Sequence, residues 1–79
     1  MDETIREVLT EHGHLAVDAE SIDEHADLFA AGMTSHASVS VMLALEDVFD
    51  IEFSENMLRK STFESIAAIR AGISLMQAA

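Results

Sequence analysis

Residues 35–50, "SHASVSVMLALEDVFD", constrain this chain more than any other stretch. Ser38, Val41, Met42, Leu45 and Phe49 follow one another at the spacing of a single helix face. That period predicts an amphipathic helix from about Ser35 to Asp50 with this stripe buried. Val39 and Leu43 fall off the stripe and form an i, i+4 pair of their own. His36 lies one turn before them, and Glu46 and Asp47 one turn after. Two readings of the pair are open. Either a neighbouring helix covers it, or it is an exposed apolar strip edged with acids, as on a helix that docks a partner.

Two further segments carry a helical period. Ile5, Val8, Leu9 and His12 share a face near the N-terminus, with Asp2 and Glu3 placed to meet the helix dipole and Gly13 as the expected stop. Near the C-terminus, Phe63 leads a stripe of Ile66, Ile69 and Ile73, and Ser61 with Glu64 reads as a capping box opening that helix. Ser54 to Lys60 leaves room for one short helix. Between His14 and Thr34 the period is lost, and Val17, Ile22, Leu28 and Phe29 are expected to pin a long loop to the core. A loop of this length in a small domain is often functional. The expectation is an all-α fold: a small antiparallel four-helix bundle of three longer helices and one short one, with residues 1–79 forming a single domain.

Composition then removes whole classes of function. Four Lys and Arg stand against fifteen Asp and Glu, a formal net charge of −11. Such a surface repels phosphate backbones, so nucleic acid is an unexpected partner, and self-repulsion favours a monomer. The longest apolar run, Val41 to Leu45, is far short of the roughly 20 residues of a membrane span. "MDETIREV" has no basic start and no apolar stretch, so it does not read as a secretion signal, and a cytoplasmic location is expected. The chain has no cysteine. Any thiol it uses must therefore come from a cofactor.

No resident catalysis is legible. His12 and His14 are two apart, His25 and His36 lie in or beside the loop, and no pair has the i, i+4 spacing of a helical metal site. The acids of "EDVFDIEFSE" lack the order of a calcium loop. Ser35 and His36 are adjacent, and adjacent helix positions project about 100° apart, which places the imidazole poorly as a base for the hydroxyl. Two roles remain for Ser35. Thr34 or Ser35 caps the helix and nothing more is needed. Alternatively, Ser35 carries a modification, and a phosphate there would meet free backbone N–H groups at the positive end of the helix.

The stretch "DLFAAGMTSHASVSVMLALEDVFDIEF" resembles the core of acyl and peptidyl carrier proteins. Their pattern is D-L-x-x-x-G-x-D-S-L followed by a helix ending in L-E-x-x-F. Asp27, Leu28, Gly32, Ser35, Val39, Leu45, Glu46 and Phe49 fall in register with it, and "TFESIAAI" is similar to the family's last helix. The resemblance implies a 4'-phosphopantetheine arm joined to Ser35 by a phosphodiester, with the arm's thiol holding a carboxylic or amino acid as a thioester. It implies a non-catalytic carrier that is the protein substrate of a phosphopantetheinyl transferase and a loading ligase. It also implies docking through the second helix, with Val39 and Leu43 exposed, His36 beside them, and Glu46 and Asp47 meeting basic residues on partners.

Two positions depart from the pattern. Thr34 stands in place of the acid before the serine, and His36 in place of the leucine after it. Thr34 still serves as the helix cap but brings no charge, and His36 removes an apolar contact, which counts against general fatty-acid synthesis. "GMTSHASVSVMLALE" is more similar to stand-alone bacterial aminoacyl carrier proteins. Those are loaded with glycine or alanine by an amino acid:carrier protein ligase resembling a class II synthetase, and they hand the cargo to a downstream acceptor enzyme. The alternatives are a carrier for a specialised fatty-acid or polyketide pathway, and an unmodified helical interaction module.

Overall fold

A computed structural model describes residues 1–78. Helix α1 spans Asp2–Val8 and runs into a π-turn at Leu9–Gly13; α2 spans Ser35–Phe49 and α3 spans Ile66–Ala78. In place of the expected short helix, two single 3₁₀ turns, Glu55–Met57 and Lys60–Thr62, bridge α2 and α3. No strand occurs among the described residues. The architecture is therefore all-helical, and the fourth member of the expected bundle is an irregular segment.

The core follows the predicted stripes closely. Ile5, Val8 and Leu9 meet Val41 and Leu45 of α2 and Ile66, Ile69 and Ile73 of α3, all buried. Phe53 and Phe63 close one end edge-on, with ring centroids 5.3 Å apart at 67°, a favoured geometry for aromatic pairs. Within the α2 stripe, Ser38, Met42 and Phe49 are only half-buried, while Ala37, outside the stripe, is buried. The side chains of Val39 and Leu43 are exposed, at 50% and 56%, which decides for the open strip over the covered one.

His12 is a correction: it is half-exposed rather than part of the core stripe. The i→i+5 turn widens the helix at Leu9–Gly13, so the register that serves Ile5 and Leu9 no longer carries His12 inward. The stop is also one residue later than expected. His14 adopts the left-handed conformation, φ 53°, and Gly13 packs against Leu9 and Leu15. Asp50, φ 52°, ends α2 in the same way, its N–H donating to the carbonyl of Glu46.

The capping box expected at Ser61 and Glu64 does not form. Residues 60–62 are taken up by a 3₁₀ turn, and Ser65 caps α3 instead, its Oγ accepting from the Ala68 N–H at 3.0 Å. The Glu64 carbonyl accepts from the Leu28 N–H at 2.7 Å, tying the long loop to the entry of α3.

That loop, residues 14–34, is anchored by Leu28 and Met33 and by Ala19, all buried. Val17, an expected anchor, is 51% exposed. Polar contacts do the rest. Arg6 Nη1 donates to the carbonyls of Ala19 and Ile22 at 3.0 and 2.7 Å. Arg70 donates to Asp2 at 2.6 Å and to Glu24 at 2.7 Å, joining α1, the loop and α3 at one point. Its hydrogen bond and charge hold the Glu24 carboxyl below the ordinary glutamate value, and the same bond raises Arg70. The loop's two ends meet where Ala16 N–H donates to the Ala31 carbonyl at 2.8 Å. Gly32, φ 117°, makes this closure possible: a Cβ there would sit 3.0 Å from the Ala16 nitrogen.

Candidate functional site

The loop delivers the chain to α2 through a well-formed cap. Thr34 is extended, φ −84° and ψ 165°, and its Oγ1 accepts from the Ala37 N–H at 3.0 Å. With Thr34 as the cap, Ser35 is released from that duty and becomes the first residue of the helix. Its side chain is exposed, and its hydroxyl makes no hydrogen bond among the described residues. The neighbouring Ser38 is differently placed: it is half-buried, and its hydroxyl donates back to the Ser35 carbonyl at 2.6 Å.

Ser35 opens onto a groove of about 370 Å³. Ser38, Val39 and Met42 of α2 form one wall, and Phe29, Phe63 and the segment Leu58–Lys60 form the other. The floor is apolar and the rim carries two cations. Lys60 Nζ stands 5.0 Å from the centre of the Phe29 ring, and Arg59 Nε donates to the Asn56 carbonyl at 2.9 Å. This wall was not foreseen in the sequence. The available signal was the scarcity of cations: of only four Lys and Arg, two are adjacent and closely precede a core phenylalanine.

The other residues singled out in the sequence share the outward side of α2. His36, Val39, Leu43 and Asp47 are all exposed and follow one another along the helix. Glu46 is partly withdrawn from this face. It is half-buried, and its Oε2 accepts from the Phe53 N–H at 2.9 Å, so it latches the exit from α2 to the aromatic end of the core. The acid expected to meet partners at this position thus also has an internal partner. Val39 belongs to both surfaces, the outward strip and the groove wall.

The four histidines do not assemble. His12 and His25 approach only their sequence neighbours Glu11 and Glu24, at 3.7 and 3.9 Å. No group of three potential metal ligands occurs among the described residues, and no described helix is long and apolar enough to cross a membrane.

A phosphopantetheine arm needs an accessible hydroxyl, donors for a phosphodiester and space for a slender, partly apolar chain. The exposed Ser35 hydroxyl, the cations of Arg59 and Lys60 and the groove's apolar floor fit those needs. Comparison with known proteins points to the same prosthetic group. The family model described as a phosphopantetheine attachment site matches residues 3–69. An aminoacyl carrier protein of Agrobacterium fabrum (strain C58) is 46% identical over 76 residues, covering 96% of this chain and 92% of its own length. Among solved structures, one match is a crystal structure of an engineered Bradyrhizobium japonicum glycine:[carrier protein] ligase complexed with a carrier protein from Agrobacterium tumefaciens and AMP. It has a TM-score of 0.91 at 46% identity, covering 94% of this chain and 99% of the matched one. A solution structure from Agrobacterium tumefaciens matches with a TM-score of 0.77 at 45% identity, covering 99% of this chain and 94% of that one. The chain thus belongs to the phosphopantetheine-attachment family of carrier proteins, non-catalytic proteins that bear a 4'-phosphopantetheine prosthetic group.

Proposed function

We propose that this chain is an aminoacyl carrier protein in which Ser35 bears the arm and a small amino acid, glycine or alanine, rides on its thiol. The observation that carries this reading is the state of Ser35: an exposed, unbonded hydroxyl on the first turn of α2, freed by the Thr34 cap. The identity to an aminoacyl carrier protein, and the likeness to a carrier protein held by a glycine:[carrier protein] ligase, support the amino acid cargo. The arm supplies the thiol that the sequence lacks. The chain's own residues present it, so that a docked enzyme meets the cargo at a high effective concentration.

A phosphopantetheinyl transferase installs the arm, an amino acid:carrier protein ligase loads it, and a downstream enzyme accepts the cargo, in a cytoplasmic setting and with the carrier as a monomer. The docking face is His36, Val39, Leu43 and Asp47, where an apolar pair edged by an acid suits a partner surface with basic residues around an apolar seat. Glu46 lends the same face negative charge while holding Phe53.

The test is loading. The arm-bearing protein is incubated with ATP, a glycine:[carrier protein] ligase and either glycine or alanine, and in parallel with long-chain acyl donors and their ligases. Intact mass is recorded before and after thioester cleavage with hydroxylamine. A cleavable glycyl or alanyl adduct is expected. Stable loading by long chains with no aminoacyl adduct would move the protein to a specialised acyl pathway. Failure of several transferases to add any arm would leave it an interaction module.

A further inference from the structure

In a chain of net charge −11, each cation's position carries information. Two of the four are occupied within the fold, Arg6 on loop carbonyls and Arg70 on Asp2 and Glu24. The other two, Arg59 and Lys60, are exposed, form no ion pair among the described residues, and line the groove that begins at Ser35. Both are partly oriented. Arg59 is tethered through Nε, which leaves its terminal Nη atoms without a partner among the described residues. Lys60 is parked over Phe29, which itself lines the groove. With fifteen acids available for pairing, two adjacent cations without an ion pair among the described residues, on the same groove as the exposed Ser35 hydroxyl, call for an anion at that place.

We infer that Arg59 and Lys60 clasp the phosphodiester on Ser35 and that the arm lies back along the groove, over Phe29, Met42, Leu58 and Phe63, between visits to partners. This rests on the reading of Ser35 as the attachment site. The charge complementarity is specific, because a phosphodiester keeps one negative charge at all ordinary pH values and a guanidinium offers it paired donors. The dimensions agree as well. A groove of about 370 Å³ is near the lower end of small-molecule sites, roughly 300 to 1,000 Å³, so it suits the arm without a long aliphatic cargo. The apolar floor accounts for Leu58, a half-exposed leucine that packs no core and sits next to the two cations. The exposed strip of Val39 and Leu43 stays available to partners, since only Val39 is shared with the groove.

The test uses the full chain with a nitroxide attached to the arm's thiol, followed by amide NMR. Intact mass is measured first, which separates the two readings: no arm on the protein overturns the attachment site and the seat together, whereas an arm that is present and unseated overturns the seat alone. Expected is strong broadening at Leu58, Lys60 and Phe63, distant in sequence from Ser35, weakening several-fold as salt screens the clasp. In the Arg59→Gln/Lys60→Gln double variant that broadening is lost while the protein stays folded, with no more than the small thermal loss expected from the Lys60–Phe29 contact. Broadening confined to residues 34–39, or persisting undiminished in the double variant, overturns the inference. Should the double variant not fold, the salt dependence of the wild-type phosphodiester ³¹P resonance decides: a shift between low and high salt supports the clasp, and an invariant resonance rejects it.

Discussion

The long loop before α2 and the irregular segment after it are held by opposite means. Residues 14–34 are stapled from both sides by Arg6 and Arg70 and closed by Gly32 against Ala16. Residues 51–65 rest on two aromatic rings and the Glu46 latch, and their cations point to the groove instead of to the fold. The same residue types thus fix the shape of one region and, among the described residues, form no ion pair in the other. The lesson is that the loop delivers Ser35 to a set position, while the opposite wall of the groove keeps polar capacity for something outside the chain.

The glycines give the largest contrast. Gly32→Ala forces a Cβ to 3.0 Å from backbone at φ 117° and should cost about 1 to 3 kcal/mol, read by urea unfolding. Gly72 of α3 faces the other region, where a Cβ meets the flexible end of Met57 at 3.1 Å. Gly72→Ala should stay within about 1 kcal/mol of wild type, since the helix-propensity gain offsets the shift of Met57. Equal losses at both positions would erase the distinction between a closed loop and a yielding segment.

The arginines come next. Arg70→Ala should lower Tm and speed hydrogen exchange in residues 14–34, with a smaller effect in high salt, because the pairs to Asp2 and Glu24 are partly exposed. Arg59→Ala should leave both measurements near wild type. Acid sharpens the point. The Glu24 carboxyl is held below its ordinary value by Arg70, so its contribution is complete above the unfolded-state value and is lost as pH falls through the lowered folded value. Exchange in the loop should therefore rise on acidification before exchange in residues 51–65 does, and Arg70→Ala should remove that order. Lys60→Ala should cost about 0.5 to 1 kcal/mol at most, from the lost contact with Phe29.

How much was legible in the sequence follows from how local each feature is. The stripes at Val41 and Leu45 and at Ile66, Ile69 and Ile73 were readable because helical burial repeats in a fixed period. Ala37, Ala19 and Met33 were missed because small or isolated residues in a loop or off a stripe carry no period. His12 and the Ser61–Glu64 box misled for a shared reason: local signals assume a regular helix, and a π-turn or a 3₁₀ turn changes the register. The staples of Arg6 and Arg70 join residues 13 to 68 positions apart, beyond the reach of any pattern. Ser35 itself was singled out through a resemblance to a family motif; the Thr34 cap expected there forms, which explains why the hydroxyl is free.

The central claim is that this hydroxyl, and no neighbour, receives the arm. Ser38 and Ser40 lie within two turns of it on the same helix, which makes site localisation the most direct measurement. The protein is treated with coenzyme A and a phosphopantetheinyl transferase, digested, and the peptide spanning residues 35–40 is fragmented by mass spectrometry, with Ser35→Ala in parallel. The account predicts one arm on Ser35, none on Ser38 or Ser40, and a folded, unmodified Ser35→Ala protein. An arm on Ser38 or Ser40, or on Ser35→Ala, would contradict it.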